Sequence, residues 1–217
     1  MQIPGLNLSL VRLPAPLPIW HAQVTRDEWI AAARAVAQAG GRLVSTWGVD
    51  RRNAAGGFVA CAAYALVDGL AWLELPLQEP EPSYPDLAAI FPAAGRMQRA
   101  TTDLLGIDAE DATDTRPWLD HRAWPAGFRP LRHDAAVRAA PDGPAAAMLS
   151  NYPFVRVEGD GVHEIAVGPV HAGIIEPGHF RFSVVGEKVL RLEQHLGYVH
   201  KGIERRFTEL APLEAHR

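Results

Sequence analysis

Residues 25–75, TRDEWIAAARAVAQAGGRLVSTWGVDRRNAAGGFVACAAYALVDGLAWLEL, hold a helix and the sheet beneath it. Thr25 and Glu28 form a Thr-x-x-Glu capping box, and Val24 and Trp29 are placed for a hydrophobic staple, so the helix starts at Arg26. Trp29, Ile30, Ala33, Val36 and Ala37 recur at helical spacing, which predicts one buried face. Gly40-Gly41 stops the helix. Residues 42–47 then read as a strand, 53–57 as a turn, and 58–67 and 70–75 as two strands joined by Asp68-Gly69, a two-residue hairpin signal. The expected class is α+β, with helices packed on an antiparallel sheet.

Working outward, residues 1–18 carry one basic residue, Arg12, and frequent prolines without an apolar run of signal-peptide length, so they read as an extended arm. A proline-rich turn at 78–85 leads to a short helix around 86–91 and a second over 95–105. Met97, Thr101, Leu104 and Leu105 share a face of the second helix, and Gly106 ends it. Periodicity is lost from Asp108 to Asp134, and the Ala/Pro/Gly/Asp stretch that follows reads as a linker. The expected organisation is an α+β domain over 1–134, a linker over 135–150 and a small β-rich piece over 151–217. In the last piece 154–157 and 162–167 flank Gly159-Asp160-Gly161 as a hairpin. Phe180, Phe182 and Val184 alternate with Arg181 and Ser183 before a turn at Gly186 and a returning strand at 189–193. Residues 200–210 look helical, and 213–217 continue without a stop. About four strands and one unfinished helix bury too little for a whole domain, so this piece reads as the opening of a larger fold.

Composition narrows the function classes. The 217 residues are 48% hydrophobic and 21% charged, which excludes wholesale disorder. Twenty-one Lys and Arg against 25 Asp and Glu give a net charge of −4, so no global field draws the chain to nucleic acid or anionic lipid. Cys61 is the only cysteine, which rules out an intrachain disulfide and makes a cytoplasmic setting the default. The longest apolar stretch, 58–75, is broken by Asp68-Gly69 and cannot span a bilayer, so no direct membrane insertion is expected and membrane association would come through a partner.

Few residues carry an obvious chemistry. His163, His171, His179, His195 and His200 are close in sequence, but none forms a His-Glu-x-x-His pair and no carboxylate or thiolate falls in a ligand pattern, so they read as surface or hydrogen-bonded core groups. His200 and Glu204, spaced i, i+4, read as a surface pair worth about 0.2–0.5 kcal/mol. Ser45, Ser150 and Ser183 lie in no Gly-x-Ser-x-Gly elbow, and Cys61 sits in an apolar strand as core filler, so a hydrolase has no support. Gly40-Gly41 and Gly56-Gly57 build no phosphate cradle. Trp118, Trp124 and Phe128 among Arg116, Arg122, Arg129 and Arg132 fit either a protein contact surface or ordinary packing.

Gln98-Arg99-Ala100-Thr101-Thr102-Asp103-Leu104-Leu105-Gly106-Ile107, then Pro117-Trp118-Leu119 and Pro130-Leu131-Arg132-His133-Asp134, resemble the signature of the 30 kDa subunit of respiratory complex I. Arg99, Asp103, Gly106, Ile107 and Arg132 match it. Gln98 and Ala100 replace two glutamates of the family pattern, so the family's salt bridges there are not carried over. Gly168-Pro169-Val170-His171, Glu176-Pro177, Phe180-Arg181-Phe182, Gly186-Glu187 and Tyr198-Val199-His200-Lys201-Gly202-Ile203-Glu204 resemble the opening of the large subunit of group 4 nickel–iron hydrogenases, formate hydrogenlyase among them, and the related 49 kDa subunit of complex I. Fusion of the two is itself an arrangement found in this superfamily.

What the resemblance implies is the N-terminal, cofactor-free part of an oxidoreductase large subunit, not catalytic as an isolated chain. Its parent complex would hold a nickel–iron centre and iron–sulfur clusters. Expected partners are an iron–sulfur small subunit and membrane-arm subunits, on the cytoplasmic face of a membrane. Arg99, Asp103, Gly106, Trp118 and Arg132 are the expected docking residues; His171, Glu176, His200, Lys201 and Glu204 are expected between active site and proximal cluster. The alternatives are a subunit of an NADH:quinone oxidoreductase and a free-standing scaffold module.

Overall fold

A computed structural model describes residues 2–54, 56–121, 124–135, 152–208 and 210–215. The chain divides into two compact units. The first comprises residues 1–115 and 129–136, the second 116–128 and 137–217. The sequence places one boundary after Asp134, whereas the chain crosses at Thr115 and returns at Arg129. The expected linker lies, from residue 136 on, outside the described residues.

The first unit is a five-stranded sheet with helices on it. Its strands are β1 (Val11–Arg12), β2 (Ile19–Gln23), β3 (Arg42–Asp50), β4 (Phe58–Leu66) and β5 (Gly69–Leu77), in the order β1-β2-β5-β4-β3. The meander β3-β4-β5 is antiparallel as expected, and Leu66 pairs with Gly69 at the hairpin. The arm is more than an extended lead: β2 adds to β5 in parallel, so the sheet is mixed. Only five residues long and preceded by Pro14, Pro16 and Pro18, β2 shows too little alternation to be read alone.

Helix α1 (Arg26–Gln38) has the full capping box: Glu28 N–H donates to Thr25 Oγ1 at 3.3 Å and Thr25 N–H to Glu28 Oε2 at 2.8 Å. It buries Trp29, Ala32, Ala33 and Val36, while Ala37 is exposed. The expected helix over 86–91 is absent. Asp86 accepts from the N–H groups of Ala88 and Ala89 as a cap would, and Phe91 N–H closes one turn on Leu87 O at 2.8 Å, but Pro92 follows at once and the turn does not extend into a helix. Helix α2 (Ala94–Leu105) packs on β3, where Gly48 makes the approach: a Cβ there would lie 2.7 Å from Ile107 Cδ1 and 2.8 Å from Thr101 Cγ2. Short strands β6 (Ser83–Pro85) and β7 (Asp108–Glu110) pair in parallel beside it. The core joins Trp29, Phe58, Tyr64, Leu73, Leu87 and Ile107.

The second unit is an antiparallel meander of β8 (Val162–Val167), β9 (His179–Val185) and β10 (Lys188–His195), followed by α3 (Ile203–Phe207). The turn at Gly186 and its flanking strands are as expected. Residues 154–157 form no strand: Val155 N–H goes to Glu193 Oε2 at 2.7 Å and the Phe154 ring sits 4.3 Å from the Arg181 guanidinium carbon, so the segment lies across the sheet instead of pairing at its edge. Helix α3 is shorter than the pattern predicts because Gly202 takes a left-handed conformation at φ 68°, and a helix begins only after it. No helix of the described residues is long and apolar enough to cross a membrane.

Candidate functional site

Helix α2 ends in backbone carbonyls that need donors, and the signature residues supply them. Gly106 turns left-handed at φ 64°, and its N–H closes on Thr102 O at 2.8 Å. Arg132 Nε then donates to Leu105 O at 2.6 Å and Nη2 to Gly106 O at 3.3 Å, while Leu131 N–H takes Leu104 O at 3.1 Å. A guanidinium at a helix C-terminus also opposes the macrodipole's negative end. Glycine is demanded there by φ, and a Cβ on Gly106, 2.8 Å from Arg129 Nε and Arg132 Nη2, would also push the two guanidinium groups aside. About two turns back from Gly106, Arg99 pairs with Asp114 at 3.1 Å, and Asp103 is buried four residues further on. Arg99, Thr102, Asp103, Asp114 and Arg129 border a groove of about 370 Å³.

His133 and Asp134 continue the clamp to the end of β3. His133 N–H donates to Asp50 Oδ2 at 3.0 Å, Asp134 meets Arg52 at 2.9 Å, and Arg52 meets Asp50 at 2.7 Å. Arg52 and Arg132 both lie over the Phe58 ring. Burial alone would raise the Asp50 carboxyl, but the Arg52 guanidinium and the N–H groups of His133 and Arg52 outweigh it and hold the pKa at about 2. Gln98 occupies a position where the family pattern has glutamate: its amide donates to Asp86 at 2.6 Å and its oxygen accepts Leu87 N–H at 2.9 Å. A carboxylate could not donate to Asp86. Asp50, Arg52 and Gln98 were not singled out as site residues by sequence; the adjacent Asp50-Arg51-Arg52 at a strand end was the available signal.

The second unit holds the other residues. His171 lies in the loop between β8 and β9, its ring 5.7 Å from Phe180, and both ring nitrogens are buried without a hydrogen-bond partner. Glu176 is exposed in the same loop, as are Val170, Ile174 and Ile175 at 74%, 84% and 55%. His200 sits 6.0 Å from the Trp124 ring, before α3, so it does not share a helix with Glu204 as the i, i+4 reading expected. Lys201 and Glu204 are exposed. No hydrogen bond or ion pair among the described residues joins the His171 and Glu176 pair to the His200, Lys201 and Glu204 group. The loop from Trp118 to Arg132 divides: Trp118 lies in the second unit beside Gly197, and Arg132 in the first.

Among the described residues no group of three or more His, Cys, Asp or Glu is arranged for a metal ion. Nickel and iron in a hydrogenase centre require several thiolates. Cys61 is one thiol, fully buried, its pKa pushed up to about 12 by burial, so these residues do not fit that centre.

The sequence profile of the "Respiratory-chain NADH dehydrogenase, 30 Kd subunit" family matches residues 22–141. Formate hydrogenlyase subunit 5 of Escherichia coli (strain K12) is 30% identical over 173 residues, 76% of this chain and 30% of that protein. Hydrogenase-4 component G of the same organism is 33% identical over 123 residues, 56% of this chain and 22% of that protein. The chain thus spans less than a third of the length of these curated relatives. Among solved structures, the membrane-bound sulfane sulfur reductase, an archaeal respiratory membrane complex, aligns over 70% of this chain and 88% of that chain, with 16% identity and a TM-score of 0.49. Because the family profile covers more than half of the 217 residues, the chain belongs to the respiratory-chain NADH dehydrogenase 30 kDa subunit family.

Proposed function

We propose that the chain is the N-terminal, cofactor-free part of the large subunit of a membrane-associated nickel–iron hydrogenase of the formate hydrogenlyase type, docking the catalytic part onto an iron–sulfur partner. The observation that carries this reading is a single chain joining the 30 kDa clamp at Arg132 to a meander with Gly168-Pro169-Val170-His171 in its first loop and His200-Lys201-Gly202-Ile203-Glu204 just after its last strand. The apolar loop tip at Val170, Ile174 and Ile175 supports a protein partner, since contiguous exposed apolar side chains mark interaction sites. In the parent complex the nickel–iron centre and iron–sulfur clusters would supply the redox chemistry. His171, Glu176, His200, Lys201 and Glu204 would line the region between active site and proximal cluster, with the complex peripheral on the cytoplasmic face through its membrane-arm subunits.

Hydrogen is favoured over quinone by Ile175. In the related 49 kDa loop a second histidine stands four positions after the first, whereas an isoleucine donates nothing to a quinone oxygen. Lys201 keeps a positive charge where many relatives carry arginine, without its planar fork. The test is an assay of the intact complex: hydrogen exchange coupled to an electron carrier is expected, and inhibitor-sensitive quinone reduction with no hydrogen exchange would overturn the choice. For docking, Asp103→Ala should lower both thermal stability and co-purification with the iron–sulfur subunit. No change in either would remove Asp103 from that role.

A further inference from the structure

Residues 116–128 belong to the second unit although both flanks belong to the first. Just before the segment Asp114 is held by Arg99, and just after it Arg132 is held by the end of α2. Within the second unit the segment seats on the end of β10. Arg116 donates to Glu193 Oε1 at 2.7 Å and to Pro153 O at 3.0 Å. Glu193 is only 8% exposed. His121 Nε2 meets Leu196 O at 2.7 Å, and its ring stacks on His195 at 4.1 Å, with Tyr152 stacked on the other side at 4.1 Å. His195 is 3% exposed, so this stack is part of the meander's interior.

We infer that residues 116–121 are a docking strap that completes the second unit from upstream in the chain, holding the β8–β10 meander non-covalently at the Glu193 to Leu196 end of β10. The connection through 136–151 is then dispensable for the two to remain together. The chemistry is specific. Removing Arg116 leaves, in the assembled state, a carboxylate with little access to water and without its best cation, a cost that separation of the two pieces relieves by hydrating Glu193. Arg191 also approaches Glu193, at 3.5 Å, but from an exposed position, so it compensates in small part. Removing His121 opens one face of the His195 ring and strips Leu196 O of its donor. The inference concerns this chain's own assembly and stands whichever reaction the parent complex performs.

The experiment starts from the whole 217-residue protein with a sequence-specific protease site inserted in 136–151. After cleavage the halves should co-elute in size exclusion at micromolar concentration. Arg116→Ala should raise the dissociation constant of the cut protein at least tenfold, His121→Ala several-fold, and Arg191→Ala by less than Arg116→Ala. Arg12→Ala on β1 should leave it unchanged. Far-UV circular dichroism of each variant before cleavage checks that the uncut chain folds. Separation of the wild-type halves on cutting, folded or unfolded, overturns the inference, as does an unchanged constant in the Arg116→Ala, His121→Ala double variant.

Discussion

Arg132 is held by geometry as much as by charge. Its Nε and Nη2 reach two successive carbonyls, a fork that lysine lacks. Arg132→Lys should therefore recover only part of the stability lost in Arg132→Ala, as measured by urea denaturation. Asp50 makes the clamp acid-labile. Its folded carboxyl titrates near 2, below the ordinary aspartate range, so its contribution is complete above about pH 4 and disappears as pH falls through about 2. That contribution is about 2 kcal/mol, and Asp50→Asn should flatten the stability profile between these values in an acid titration followed by fluorescence. Arg132 and Gly106 were legible in the sequence because their motif is local. Asp50 was not, since His133 binds it from 83 residues away and no short-range pattern reports such a partner.

At the scale of elements, the box at the start of α1 was legible because all of its parts lie within four residues. Thr25→Ala should cost about 1 kcal/mol and Thr25→Ser much less, readable as a melting-temperature drop of about 2–4 °C for the alanine variant. Gly48 carries a different constraint. Valine there would drive side-chain atoms into Ile107 and Thr101, so Gly48→Val should destabilise by about 1–3 kcal/mol and raise the hydrogen-exchange rate of α2 amides over those of α1. Two of the elements that escaped sequence reading share a cause. β2 exists because β5 offers it a parallel edge, residues 154–157 leave the strand pattern where Glu193 takes the Val155 N–H, and the turn at 86–91 stays short because Pro92 follows it. The first two outcomes are decided by a neighbour, not by the segment's own propensity.

For the whole molecule, the change from mixed to strongly β pattern predicts a single boundary after Asp134, whereas the second unit also takes residues 116–128. The double crossing was not legible, because Arg116 and His121 are polar residues in an aperiodic stretch and their partners lie 77 and 75 residues away. The candidate site divides likewise: the 30 kDa signature was readable as a cluster, while the two groups around His171 and His200 sit on separate loops. Elemental analysis of the purified 217-residue chain should find well under one nickel, iron or zinc per molecule. About one tightly held metal per chain would reveal a ligand set involving residues beyond those described.

Cys61 gives the chain a practical property as well. Its thiol lies on β4 with no solvent exposure and a pKa near 12, so at neutral pH it is almost wholly protonated and out of reach of alkylating reagents. The 217-residue chain is therefore a silent background for maleimide chemistry. A single cysteine introduced at exposed Val67 would be the one fast-reacting sulfur, and a fluorophore or spin label placed there would report on the first unit alone, without first deleting the native thiol.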